Sequence, residues 1–283
     1  MGAILSIQSH VVYGHVGNSA VAFALQRLGR EVWPLHTVQF SSHAGHAGWR
    51  GEAFSAGLIG ECVAGLDAIG ALAACEAVVT GYLGRPDVGA AALAAVATVR
   101  ARNPGALYAC DPVIGDVERG VYVREGVAEF LRDAAIPAAT IVSPNAFELE
   151  WLAGRACATQ RQAVAELQTL RARGPEVAFA TSLRLEDTPA DALDLVVAAP
   201  QGCWRVRTPK LPIAVQGAGD LISALFLHEW LKSRDAAAAL ASAAARVYAV
   251  VAATAAAGAS ELALIAAQEA FSEPPLRFAP QKL

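Results

Sequence analysis

The stretch AVVTGYLGRPDVGAAALAAVATVRARNPGALYACDPVIGD, residues 77–116, decides the fold. It opens on a short β-type run at 77–80 that stops at a glycine. A helical pattern follows at 88–101. A second β-type run at 106–110 then enters Asp111-Pro112. A strand, a helix of this length and another strand make a crossover unit, which sets the two strands parallel. The same alternation extends outward. Strands are predicted at 3–7, 31–34, 139–142 and 177–181, and helices at 18–28 (closed by Gly29), 60–74, 126–133 and 161–173. Residues 193–199 and 202–206 read as an antiparallel pair, and two long helices follow at about 218–232 and 235–258. Right-handed crossovers place helices on both faces. The expected fold is therefore an α/β three-layer sandwich around a mostly parallel central sheet.

The chain has 283 residues. A prior of ~150 residues per domain suggests two domains, but the chain has no linker, repeat or low-complexity tail, and one domain over 1–283 is expected. Hydrophobic residues make up 55% and charged residues 17%, with a net charge of −4. No basic footprint argues for nucleic acid or an anionic membrane. Alanine occurs 64 times, and lysine only at Lys210, Lys232 and Lys282. So few lysines argue against pyridoxal phosphate as a bound cofactor, which needs a Schiff-base lysine. No glycine is followed by lysine, which excludes a GxxxxGK[ST] phosphate loop. The five cysteines are widely spaced, and no CxxC occurs. They indicate a reduced, cytoplasmic protein. The N-terminus lacks the basic and apolar regions of a signal peptide. The alanine-rich stretch 236–259 is long enough to span a bilayer but carries Arg246 near its centre. A buried helix is the better expectation. His43 and His46 form a lone HxxH, a weak metal signal without Cys or carboxylate partners.

In open parallel sheets ligands bind at the carboxyl ends of the strands. The unusual residues fall there: Ser9-His10, Gly81-Tyr82, Asp111, Asn145 with Glu148, and Thr181-Ser182. Segment 41–51, SSHAGHAGWRG, breaks the pattern and reads as a mobile flap between two strands, or as an inert surface loop.

The chemistry concentrates in Gln216-Gly217-Ala218-Gly219-Asp220, followed by the helical pattern LISALFLHEW. A glycine-rich turn at a helix N-terminus points free N–H groups at an anion. Asp220 in that turn can accept the proton of a hydroxyl attacking a phosphoryl group. The competing reading is that Asp220 merely caps the helix. Ile222 stands where a dinucleotide motif needs its third glycine, so a nicotinamide site is weak. Asp111 and Asp116 of DPVIGD, with Glu148, offer a carboxylate shell for Mg2+. The alternative is turn chemistry at the two Asp and a surface acid at Glu148. Ser9 and Tyr82 can hydrogen-bond or stack on a ring, or be structural.

Taken together, IQSHVVYGHVGN (7–18), VWPLHTVQFSSH (32–43), GYLG (81–84), CDPVIGD (110–116), SPNAFELEWL (143–152) and GAGD (217–220) resemble the pyridoxal kinase family of the ribokinase-like superfamily, in its bacterial pyridoxal/pyridoxamine kinase branch. The resemblance implies a ribokinase-like fold and ATP-dependent phosphorylation of the 5′-hydroxymethyl group of pyridoxal, with pyridoxamine or pyridoxine as further substrates. By it Asp220 is the base, and Gly217, Ala218 and Gly219 form the anion hole. Ser9 bonds the pyridine ring and Tyr82 packs on it; relatives often carry polar residues such as Thr-Gln where this chain has Ala44-Gly45, so flap contacts are expected from the backbone, as at Gly45, or from His43 or His46. Asp111 and Glu148 serve nucleotide phosphates and metal, with Ser143 nearby. Thr181 stands where many bacterial relatives carry Lys, and Thr181-Ser182 resembles animal-type enzymes whose hydroxyls contact phosphates. Lys210, in the run Thr208-Pro209-Lys210-Leu211, is a candidate contact for ATP. The family is usually homodimeric, takes Mg2+ and is often helped by K+. Two alternatives remain open from the residues: a kinase for another hydroxymethyl heterocycle such as hydroxymethylpyrimidine, and a non-catalytic pyridoxal-binding or storage protein.

Overall fold

The structure, a computed structural model, describes residues 2–283. Its strands are β1 (Ala3–Val11), β2 (Glu31–Phe40), β3 (Gly51–Ala53), β4 (Cys75–Thr80), β5 (Leu107–Cys110), β6 (Gly115–Asp116), β7 (Gly120–Val121), β8 (Ile141–Val142), β9 (Val177–Leu183), β10 (Ala192–Ala199), β11 (Gly202–Pro209) and β12 (Gln281–Lys282). The helices are α1 (Asn18–Arg27), α2 (Ala56–Ala68), α3 (Pro86–Arg102), α4 (Val127–Phe130), α5 (Ile136–Ala138), α6 (Ala146–Ala153), α7 (Gln160–Ala172), α8 (Ala218–Ser233) and α9 (Ala236–Ala256). A π-helical turn, Leu131–Ala135, joins α4 to α5.

Ten strands form one sheet in the order β12-β11-β10-β9-β8-β5-β4-β1-β2-β3. The run from β9 to β2 is parallel throughout. β10, β11 and β12 extend one edge antiparallel, and β3 does so at the other. The expected α/β sandwich is what forms, and the strand side chains show why. Successive residues point to opposite faces. In β5, Leu107 and Ala109 enter one core while Tyr108 and Cys110 enter the other; in β9, Val177 and Phe179 part in the same way from Ala178 and Ala180. The first core is closed by α1, α8 and α9, the second by α3, α4 and α7. Burial on both faces explains why the central strands read as apolar runs.

Several elements differ from the sequence expectation. β1 runs to Val11, so Ser9 and His10 lie within the strand rather than after it. β2 continues through Pro34 to Phe40. The proline is tolerated because β3 pairs only with Val38, Gln39 and Phe40, leaving β2 open on that side at Pro34. α6 was not expected as a helix. The capping box between Asn145 and Glu148 starts it. The pattern at 60–74 divides into α2, capped by Ser55, and a 3-10 turn at Ala71–Ala74. The segment 41–50 does connect two strands, β2 and β3. α9 is long and apolar enough to cross a membrane, but half of its most apolar window is buried inside the protein. Its Arg246 is buried too, donating from Nε to the Phe271 carbonyl at 2.6 Å with Nη2 3.3 Å from Glu229 Oε1.

Candidate active site

The parallel strands deliver their carboxyl ends to one cavity of about 370 Å3, within the range of small-molecule sites. Ser9 of β1, Tyr82 after β4, Asp111 after β5, Ser143 and Asn145 after β8 and Thr181 of β9 all line it, as do Glu148 of α6 and Gly217, Ala218, Gly219 and Asp220. His43 and Ala44 of the flap cover one side. The sheet has gathered residues from five separate strand ends.

Gly217 is the N-cap residue of α8, at φ 90°, and no side chain caps the helix. A Cβ at this position would lie 2.1 Å from the His15 carbonyl oxygen, so the turn requires glycine. The first-turn N–H groups of Ala218, Gly219 and Asp220 have no intrahelical acceptor. Among the described residues nothing else accepts from them. They face the cavity as free donors at the positive end of the helix dipole. Asp220 does not cap its own helix. Its Oδ2 accepts the Gly17 backbone N–H at 2.8 Å, which ties the start of α8 to the turn after β1. Burial pushes its carboxyl up to about 6 even though that N–H bond pulls it down.

Asp111 and Glu148 are 5% and 2% exposed, so Glu148 is not the surface acid that composition alone allowed. Glu148 Oε2 accepts the Asn145 N–H at 2.8 Å, and Oε1 accepts the N–H of Ile114 at 2.9 Å and of Gly115 at 3.4 Å. These bonds lower its pKa, but burial outweighs them and pushes the carboxyl up to about 8. Burial first, then the charges of Glu148 and Asp220, hold Asp111 well above the usual carboxylate range. The Ser223 hydroxyl donates to Asp111 Oδ2 at 3.2 Å and shares a 2.8 Å bond with Ser143. Among the described residues no Lys or Arg pairs with Asp111, Glu148 or Asp220. Buried acids that repel one another and have no cationic partner fit a hard divalent ion.

Asp116 departs from its expected place in that shell. Its carboxylate is taken up by Arg119, whose Nε donates at 2.8 Å, and by the N–H groups of Glu118 and Arg119. Together these hold its pKa below the usual range despite burial. An acid already bonded to a guanidinium serves to position that cation. Arg119 lines the cavity, donates to Gln216 Oε1 at 3.0 Å and stands 4.4 Å over the Tyr122 ring.

A family model described as phosphomethylpyrimidine kinase matches residues 62–264. The pyridoxal kinase PdxY of Granulibacter bethesdensis is 47% identical over 275 residues, covering 96% of each chain. That of Rubrobacter xylanophilus is 48% identical over 276 residues, covering 97% of this chain and 95% of the relative. The chain belongs to the phosphomethylpyrimidine kinase family and, within it, to the pyridoxal kinases. Among solved structures, the pyridoxal kinase of Leishmania donovani in complex with ADP and pyridoxamine superposes with a TM-score of 0.92 at 26% identity, each chain covered to 100%.

Of the residues that the family resemblance nominated, some stand apart from the cavity. Ser182 is exposed at φ 57° and is not in the lining, although Thr181 beside it is. Thr208, Pro209, Lys210 and Leu211 lie at the end of β11 and beyond, outside the lining. Lys210 is exposed, and its backbone N–H is bonded to the Asp191 carbonyl at 2.7 Å. Gly45 lines an adjoining cavity of about 300 Å3 instead, and its N–H is donated to His43 Nδ1 at 3.1 Å. Gly17, Arg119 and Ser223 also belong to the site, and Gln216, which opens the glycine motif, joins it through Arg119. Of the first three, Arg119 has a local signal, three residues after Asp116.

Proposed function

We propose that this chain phosphorylates the 5′-hydroxymethyl group of pyridoxal with ATP, accepting pyridoxamine or pyridoxine as well, and that residues 1–283 act as one ribokinase-like kinase domain. The observation that carries this reading is the joint placement of Asp220 and the free N–H groups of Ala218 and Gly219 on one wall of the cavity. A non-catalytic carrier has no use for a phosphoryl anion hole. Family membership and the ADP- and pyridoxamine-bound relative support the same pair of substrates.

In this mechanism Ser9 and Tyr82 orient the pyridine ring, and His43 and Ala44 cover it. The vitamer hydroxyl donates a hydrogen bond to Asp220. As its oxygen bonds to the γ-phosphorus of ATP, its proton passes to the Asp220 carboxylate and the bond to the β-phosphate oxygen breaks, releasing ADP. The donors of the 217–219 turn meet the charge on the transferring phosphoryl oxygens. Ser143, Thr181 and Arg119 contact the nucleotide phosphates. Asp111 and Glu148 would hold Mg2+, which would supply positive charge against the phosphates of ATP. Covering the site keeps water from competing with the hydroxyl.

K+ activation, a homodimer and a cytoplasmic location complete the proposal. The five free thiols suit a reducing compartment. The decisive experiment measures ADP release with Mg-ATP in K+ buffer, with and without pyridoxal, alongside absorbance of the phosphorylated product. Pyridoxal-dependent ADP release with matching product is expected. Binding without turnover would favour the storage reading. The phosphomethylpyrimidine kinase match keeps hydroxymethylpyrimidine as the second substrate to test, and higher kcat/KM on it would reassign the substrate.

A further inference from the structure

The tip of the flap meets the body of the protein at two side chains, Tyr13, whose ring stands edge-on to His46 with centroids 5.8 Å apart, and Glu261, which takes its hydrogen bonds. Among the described residues, every hydrogen bond that ties residues 43–46 to the rest of the molecule ends on Glu261. His43 Nε2 lies 3.0 Å and His46 Nε2 2.7 Å from the same Glu261 Oε1. The tip's other bonds are internal, from the His46 N–H to the His43 carbonyl and from the Gly45 N–H to His43 Nδ1. Beneath the tip lies the adjoining 300 Å3 cavity, lined by Arg119, Gln216 and Ser260 among others, rather than an apolar bed. Glu261 is itself anchored. It follows α9 in the chain, and its Oε2 accepts the His15 N–H at 3.3 Å. A Cβ on Gly14, which sits at φ 94°, would lie 1.9 Å from that oxygen, so the turn before α1 is shaped to admit the carboxylate.

The same three side chains could reach one metal ion. The protons argue otherwise. His43 Nδ1 accepts from Gly45, so the ring's proton is on Nε2 and is donated to Glu261. A metal at Nε2 would need that proton on Nδ1, where it would face the Gly45 N–H.

We propose that Glu261 is a positioning residue for the reaction. It clasps His43 and His46 and so holds the flap over the vitamer, keeping water from the phosphoryl transfer. The catalytic part of this inference rests on the proposed kinase activity.

The test compares full-length wild type with Glu261→Ala, Glu261→Gln and His46→Ala. Glu261→Ala is expected to raise KM for pyridoxal by about tenfold, the worth of one or two charge-assisted hydrogen bonds. It should lower kcat less and release ADP in excess of phosphorylated product. Glu261→Gln, which keeps an acceptor oxygen, should recover part of both losses. Without any substrate, trypsin should cut after the exposed Arg50 of the flap several-fold faster in Glu261→Ala than in wild type. That readout judges the clasp even if the vitamer is not the substrate. If Glu261→Ala fails to fold, His46→Ala, which removes one of the two bonds, should move the same quantities in the same direction by less. Unchanged KM, coupling and cleavage in the folded variants would overturn the proposal. So would a visible cobalt(II) absorption band in wild type that Glu261→Ala abolishes, because the trio would then be a metal site.

Discussion

Asp220 Oδ2 accepts the Gly17 backbone N–H at 2.8 Å, so the first turn of the chain's first strand–helix unit orients the acid at the start of α8. The bond fixes which oxygen is engaged and leaves the other for the cavity. It also stabilises the charged form, whereas burial disfavours it, and the balance leaves the group near 6. A base poised just below neutral is deprotonated at working pH yet basic enough to take a hydroxyl proton in the transition state.

Asp220→Ala is therefore expected to lower kcat by roughly 10²- to 10⁴-fold while pyridoxal still binds, as read by titration calorimetry. In wild type kcat/KM should rise with pH through about 6 as Asp220 loses its proton. Turnover that survives the substitution, or a flat profile across that window, would remove Asp220 as the base.

The acids across the cavity predict a stability effect of definite sign. Glu148 titrates near 4.3 in an unfolded chain but is pushed up to about 8 by burial, and Asp111 is raised as well. A raised folded-state pKa means the folded form binds the proton more tightly. The resulting stability is complete below the unfolded pKa and is lost as pH rises through the folded one. Thermal unfolding should therefore occur at progressively lower temperature between about pH 5 and pH 8. Mg2+ with ATP should recover part of the loss at pH 8, because a divalent ion offsets the repulsion. A melting temperature insensitive to both would contradict this electrostatic account.

Much of this site was legible in the sequence because parallel strands buried on both faces appear as short apolar runs, and their polar ends mark the cleft. Ser9, Tyr82, Asp111, Asn145 and Thr181 stand out that way. The glycines around Asp220 announced a helix N-terminus. The rest depended on contacts that the chain closes over long separations. Nothing local links Gly17 to Asp220, Glu261 to His43, or Ser223 to Asp111. Asp116 shows the opposite limit: its residue type suits a metal, but Arg119, one turn on, claims the carboxylate. The strand pattern in the sequence ends at Pro34, yet β2 continues, because a missing N–H matters only where a neighbour needs it and the edge facing β3 is open there. The capping residues of α6, Asn145 and Glu148, stand in the sequence with the spacing that starts a helix, and Glu148 combines that role with its charge at the cleft.

Two cations divide the nucleotide question. Arg119 lines the cavity and is preset by Asp116 and Gln216, whereas Lys210, the residue after β11, is exposed and outside the lining. Arg119→Ala should raise KM for ATP about tenfold, as expected for loss of a charge-assisted phosphate contact. Lys210→Ala should leave it within about twofold, as for most surface substitutions. Initial-rate kinetics at saturating pyridoxal decide between them. The reverse ranking would move the nucleotide site toward 208–211.

Gly217 and Gly219 separate backbone need from site need. Gly217 holds φ 90°, and a Cβ there would meet the His15 carbonyl oxygen at 2.1 Å. A non-glycine residue in such a conformation costs about 1–3 kcal/mol, and the collision forces the turn to shift as well. Gly217→Ala is expected to lower the melting temperature by about 2–6 °C. It should also lower kcat at least tenfold, since a displaced first turn no longer aims its N–H groups at the phosphoryl oxygens. Gly219 is different: a Cβ there has no heavy atom within 4 Å. Gly219→Ala should leave the melting temperature within about a degree of wild type, as for substitutions that touch no packed feature. Gly219 lines the cavity, so an added methyl is expected to crowd a phosphoryl group bound there and slow turnover. Differential scanning calorimetry with steady-state kinetics on both variants separates these effects. Equal melting temperatures for the two would show that the strained turn at Gly217 is not what holds the anion site in shape.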